Sequence, residues 1–143
     1  MTYFRDLSKT QAFAEYGAVL TNHVNEYSAI AKDGSVVLEC WNHLIERESN
    51  GAWRYQIDDL STWTNNHGKN LLVRHLKYAF EETRPVRLVR AIPTENAKPE
   101  VAELTERKYQ RVSTSERILF IGEVLAFDSN HFVIVFRRIK SAK

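Results

Sequence analysis

At 143 residues, 43% of them hydrophobic and 27% charged, the chain is the size of one domain and apolar enough to build a core. A chain of this length can bury a core without disulfides or metal, and its composition does not indicate disorder. The single cysteine, Cys40, excludes an intrachain disulfide and a thiolate metal cluster, and points to a reducing compartment. The net charge of +2 is unevenly spread: six Lys/Arg stand against nine Asp/Glu up to residue 71, and fourteen against nine beyond it. A basic C-terminal half suits an anionic partner or a solvated basic face.

In chain order, Ser8-Lys9-Thr10-Gln11 has the spacing of a capping box. It opens a short helix through Ala12, Phe13 and Tyr16 that Gly17 closes. Two strand-like runs follow, Glu26 to Ala31 and Ser35 to Trp41, joined by Lys32-Asp33-Gly34. Asp-Gly between such runs is a hairpin signal, because the turn needs positive φ. A second turn, Ser49-Asn50-Gly51, folds Leu44 to Arg47 back on Trp53 to Ile57, and together the runs predict an antiparallel meander of three or four strands. From Asn66 to Thr83, Leu71, Leu72, His75, Leu76, Ala79 and Phe80 form one apolar stripe at helical spacing. Asn65 or Asn66 caps this helix and Pro85 stops it; Leu72, Leu76, Ala79 and Phe80 are predicted to face the core.

Val86 to Ile92 then alternates as a strand, Pro93 to Pro99 reads as a loop, and residues 100–115 are ambiguous. Arg117 to Phe127 and His131 to Ile139 form a closing hairpin around Asp128-Ser129-Asn130. The layout is a single α+β domain over residues 1–143: an antiparallel, curved β-sheet packed against one principal helix, with a short N-terminal helix. Apolar runs fall far short of the roughly 20 residues of a membrane helix. Met1 to Asp6 lacks the basic flank and apolar stretch of a signal peptide. The expectation is a cytoplasmic protein without a membrane partner.

Chemistry-bearing patterns are sparse. No two of His23, His43, His67, His75 and His131 have helical ligand spacing. The five glycines are scattered singly, so no phosphate-cradling loop appears, and Gly-x-Ser-x-Gly is absent. His75 on the apolar stripe reads as a satisfied core histidine, and Cys40 as an inert core thiol. The His-Asn segment Asn65 to Asn70 reads as loop and helix cap rather than a nuclease motif; Glu39-Cys40-Trp41 and Glu46-Arg47-Glu48 lack the lysine of a PD-(D/E)xK site. No catalytic residue, metal ligand or cofactor is assigned. The aromatic set is denser: Tyr27, Trp41, Trp53, Tyr55 and Trp63 fall within or just after the meander. Such rings fill cores, and beside basic residues they also stack bases, with Asn42, His43, Gln56, Asp58 and Asp59 available to read a base edge.

Three stretches carry a resemblance: Tyr16-Gly17-Ala18-Val19-Leu20-Thr21-Asn22, Asp33-Gly34-Ser35-Val36-Val37-Leu38-Glu39-Cys40-Trp41, and the helix running into Arg84-Pro85-Val86-Arg87-Leu88-Val89. They resemble small bacterial and prophage proteins of unknown role. The order of strand ending in Trp, long helix, strand and closing hairpin resembles the N-terminal reader domain of McrA-type modified-cytosine restriction proteins. The resemblance implies a reader of modified DNA from bacterial defence or mobile-element biology; no HNH nuclease domain follows. The expected function is therefore a small nucleic-acid-binding module acting through Arg87, Arg90, Arg111, Arg137, Arg138, Trp41, Trp53 and Trp63. Arg87 and Arg90 differ in strand parity, as do Arg137 and Arg138, so each pair splits between two faces. The alternative is a phage- or prophage-encoded inhibitor or adaptor that binds a protein of a host defence complex.

Overall fold

Val36-Val37-Leu38-Glu39-Cys40-Trp41 has no exposed residue. A strand covered on both faces belongs inside a sheet, and there the computed structural model places it. The structure describes residues 4–7, 9–21, 26–63, 66–93, 107–112 and 120–138. In chain order the elements are β1 (Phe4–Leu7), α1 (Lys9–Ala14), β2 (Ser28–Ile30), β3 (Val36–Trp41), β4 (Ile45–Arg47), β5 (Trp53–Ile57), α2 (Asn66–Glu81), β6 (Val86–Pro93), β7 (Arg107–Val112), β8 (Phe120–Phe127) and β9 (Phe132–Arg138). Two 3-10 turns, Asn42–Leu44 and Leu60–Thr62, complete the list. The architecture is α+β, and the strands share one sheet.

That sheet is mixed, which corrects the antiparallel expectation. β3 runs parallel to β6, from Val36 opposite Val86 to Trp41 opposite Ala91. The physical reason is the crossover between them: β4, β5 and α2 bring the chain back to the starting end of β3, which a tight turn cannot do. The meander is corrected too. Both hairpins form, with Gly34 at φ 88° and Gly51 at φ 89° in their turns. But β3 continues the sheet through β6, and β5 pairs with β9, so the hairpins are not neighbours. β1 and β7 pair with each other, with Phe4 opposite Val112 and Leu7 opposite Tyr109; their mixed polar sequences carry no clear alternation. The Ser8 and Asn65 caps, most of the 93–99 loop and residues 117–119 lie outside the described residues.

β6 is the hub. β3 occupies one of its edges, while β8 and β7 share the other, at Val86–Gly122 and at Arg90–Pro93 respectively. Gly122 makes that crowding feasible: a Cβ there would lie 2.5 Å from the Phe136 ring and 3.1 Å from the Val86 carbonyl. The β3–β6 pair is covered on both sides. Leu72, Leu76 and Ala79 of α2 join Val36, Leu38, Val86 and Leu88 in one cluster. Ala12 and Phe13 of α1 join Val37 and Val89 in another. Phe80 is corrected from core to surface: it is 43% exposed and meets Phe127 with ring centroids 6.3 Å apart. It belongs to the last turn of α2, which stands beside the edge of β8. No helix among the described residues is long and apolar enough to cross a membrane.

Several polar groups in this interior are matched. His75 Nδ1 lies 2.8 Å from the buried Ser28 hydroxyl. Glu26, also buried, accepts from the Thr21 amide and hydroxyl and faces His67 Nε2 at 3.2 Å. Cys40 is fully buried, and burial pushes its thiol well above the ordinary range. Burial, helped by Arg74 and opposed by Glu26, lowers the His75 pKa below its usual 6.5.

Two predictions follow from this packing. Leu76→Ala removes a fully buried side chain from between α2 and the sheet and costs about 2–5 kcal/mol in urea unfolding. Lys77→Ala, on the exposed flank of the same turn, stays within about 0.5 kcal/mol. For His75, the unfolded chain takes up the proton first as pH falls below about 6.5, so the stabilising contribution of the neutral ring is full above that pH and declines below it. His75→Gln, which keeps a polar side chain beside Ser28, flattens the stability–pH profile below about pH 6.5 relative to the parent chain.

Candidate nucleic-acid interface

The β4–β5 hairpin puts Arg47 directly opposite Trp53. Side chains at opposed positions share a face of the sheet, and the Arg47 guanidinium sits 4.8 Å from the Trp53 ring centroid. Arg90 of β6 approaches the same ring at 5.5 Å. β8 and β9 lie between β6 and β5 in the sheet, so Arg90 reaches Trp53 across its face rather than along a ladder. Two cations therefore flank one indole, each within the range of a cation–π contact. Arg90 is buried while Arg47 is exposed. Burial first, and then the Arg47 charge, lower the Arg90 pKa below the ordinary arginine value; the starting value is so high that the group stays charged at neutral pH.

β9 adds to this region. Phe136 is opposite Trp53, so Arg138, two residues on, projects to the Trp53 side of the sheet about 7 Å further along. Arg137 takes the opposite face and lies 3.5 Å from Glu123. A hollow of about 240 Å³ between the β4–β5 turn and the end of β9 is lined by Asn50, Gly51, Ala52, Arg137 and Arg138.

The residues singled out in the sequence are thus divided. Trp53 and Arg90 come together, with Arg138 on the same side. Arg87 points away from them, on the Val89 parity, and its charge acts on Asp33 at the β2–β3 turn. Arg111 lies on β7, its backbone in register with Arg5. Trp41 and Trp63 are core residues, 1% and 4% exposed. They stack on each other at 5.0 Å with Tyr27 edge-on to both, so neither ring offers a face to a base. Trp41 is fixed further by its indole N–H, which donates to Glu39 Oε2, and by its backbone N–H, which donates to the Tyr55 oxygen.

Of the polar groups suited to read a base edge, Gln56 accepts from Arg54 and donates to Asp58, and Asp59 caps the 3-10 turn at Ser61. Arg47 escaped the sequence reading, although the hairpin register held the signal: counting back from Asn50-Gly51 sets it opposite Trp53. Among the described residues, no group of three or more His, Cys, Asp or Glu side chains is placed to hold a metal ion.

The differing environments of the tryptophans make a spectroscopic prediction. Trp53, half-buried at the rim, supplies most of the fluorescence accessible to acrylamide, so Trp53→Phe leaves an emission that is quenched only weakly. No family model, no curated protein and no solved structure matches this chain.

Proposed function

We propose that this chain is a nucleic-acid-binding module whose contact surface is Arg47, Trp53 and Arg138, with the buried Arg90 packed at the Trp53 ring. The single observation that carries the reading is the pair of guanidinium groups over the one tryptophan that is not enclosed in the core. Arginine planes and indole rings are the groups on which unpaired bases stack, and guanidinium groups are matched to phosphate oxygens. The adjacent hollow beside Arg137 and Arg138 continues the cationic surface along the end of β9. Stacking of this kind tolerates any base. The finer reading, a reader of modified cytosine from bacterial defence or mobile-element biology, is supported by the resemblance to McrA-type readers. In this chain its discrimination would have to come from Trp53, since Trp41 and Trp63 are enclosed.

The test is a titration of labelled single strands, plain duplexes and cytosine-modified duplexes at low and moderate salt. Affinity is expected to fall with salt, at a logarithmic slope of about −0.9 per phosphate contact on B-form DNA and about −0.7 on single strands. Arg47→Ala combined with Arg138→Ala weakens binding and reduces the slope by about two contacts. Arg87→Ala, on the other face, leaves both unchanged. Salt-independent binding, or an Arg87→Ala effect as large as that of the double variant, rejects the assignment; preference for the modified duplex that Trp53→Ala abolishes supports the reader.

A further inference from the structure

The hollow between the β4–β5 turn and the end of β9 offers side-chain donors. It measures about 240 Å³ between Asn50, Gly51, Ala52, Arg137 and Arg138, room for a small anionic group and a few waters. The backbone donors here are used by the turn itself. The Gly51 amide donates to the Glu48 carbonyl, and the Ala52 amide donates to Asn50 Oδ1. The second of these bonds orients the Asn50 carboxamide. A backbone N–H can only donate, so the oxygen faces Ala52 and the NH2 group lies on the other side. Among the described residues, nothing accepts from that NH2. Space is open above the turn: no atom would lie within 4 Å of a Cβ at Gly51.

The charge lining this hollow has one sign. Arg138 is exposed on the Trp53 side of the sheet. Arg137 reaches the hollow from the other face; its Nη1 is 3.5 Å from Glu123 Oε1, which engages one nitrogen of the fork. Glu46 is opposite Arg54, Glu48 bonds the Ala52 carbonyl through its amide, and Glu123 is opposite Val135. All three acids therefore have the parity opposite to Trp53, and none of them lines the hollow. Arg138 stands two strand residues past the partner of Trp53, roughly 7 Å. That is the scale on which one nucleotide separates its base from its phosphate.

We infer that this hollow is a phosphate subsite that holds the phosphodiester adjoining a base stacked at Trp53. Arg137 and Arg138 supply the charge, and the Asn50 NH2 supplies an oriented donor beside the turn. Charge-assisted bonds from such a set are the strong ones for phosphate oxygens. The inference rests on the nucleic-acid reading above and narrows it. A base on Trp53 with its phosphate in the hollow describes an unpaired or extruded nucleotide, because a paired base keeps its faces inside the stack.

The probe is thymidylyl-thymidine, which has one phosphodiester, titrated into the whole chain and followed by backbone NMR. Its controls are thymidine, inorganic phosphate and the same dinucleotide with an uncharged methylphosphonate linkage. The dinucleotide is expected to shift Asn50 to Ala52 and Arg138 together with Trp53, and thymidine to shift Trp53 alone. The methylphosphonate should bind about tenfold more weakly. Asn50→Asp keeps an oxygen for the Ala52 amide and a good turn pair with Gly51, but sets a negative charge where the NH2 stood. It should weaken the dinucleotide by about tenfold or more and leave thymidine unchanged; Arg138→Gln, away from the turn, should do the same. Unshifted hollow resonances at millimolar dinucleotide overturn the subsite. So does equal binding of the charged and uncharged linkages, or of the parent chain and Asn50→Asp, or inorganic phosphate that matches the dinucleotide. The nucleic-acid reading is judged separately. It stands if longer single strands lose affinity with Arg47→Ala plus Arg138→Ala while Asn50→Asp is silent, and it falls if that double variant is silent too.

Discussion

The parallel pairing of β3 with β6 is the constraint on which the other features depend. Parallel neighbours cannot be joined by a tight turn, so the chain between them has to travel the length of the molecule and return. Here the excursion consists of the β4–β5 hairpin and α2. The return leg, α2, covers one face of the pair with Leu72 and Leu76, and α1 covers the other with Ala12 and Phe13. β3 is consequently enclosed and nearly continuously apolar, the pattern expected where a sheet is covered on two sides, whereas β6 sets Arg87 and Arg90 among its buried apolar residues. The outward leg carries the hairpin to the far end of the sheet, where β5 docks on β9. The Arg47–Trp53 pair owes its position to that journey.

Crowding around β6 shapes the surroundings of the cationic site. Three strands share its edges, and at position 122, opposite Val86, a Cβ would run into the Phe136 ring of β9. Because β6 starts at Val86, β8 overruns it and leaves an edge beside α2. At the opposite end of β6, Arg90 has the parity of Val86 and Leu88 and is carried onto the face where Trp53 stands. A buried cation is costly to desolvate unless its surroundings compensate; the electron-rich face of the indole contributes part of that compensation. One strand thus sets both where the cationic site lies and where the sheet stays open.

Much of the local structure was legible because short-range chemistry dictates it. Asp33-Gly34 and Asn50-Gly51 require positive φ, and both turns form with glycine there. The stripe from Leu72 to Ala79 requires a helix with one buried face, and α2 buries those residues. His75 on that stripe finds a buried hydroxyl, as a core histidine must, and Cys40 in its apolar run is enclosed. The parity argument for Arg87 and Arg90 depends only on the alternation of a strand, and the two do take opposite faces.

Which strands pair outside the hairpins was decided by tertiary structure alone. Hydrogen-bonding groups of a strand are the same in every sequence, so nothing in Val36–Trp41 specifies a parallel partner fifty residues away rather than the next hairpin. The alternation that betrays a half-exposed strand is absent from strands covered on both sides and weak in mixed polar ones, which hid β1 and β7. Phe80 continues the helical stripe yet lies beside the edge of β8 that β6 does not reach, so its exposure depends on where β6 begins rather than on its spacing. The tryptophans make the same point most sharply. Trp41, Trp53 and Trp63 are chemically identical, and only the course of the chain around them enclosed two in a stack and left the third at the rim between two arginines. The sequence determined the elements and their apolar faces because those are local properties; the functional surface arose from contacts between residues far apart in the chain, which only the packed structure brings together.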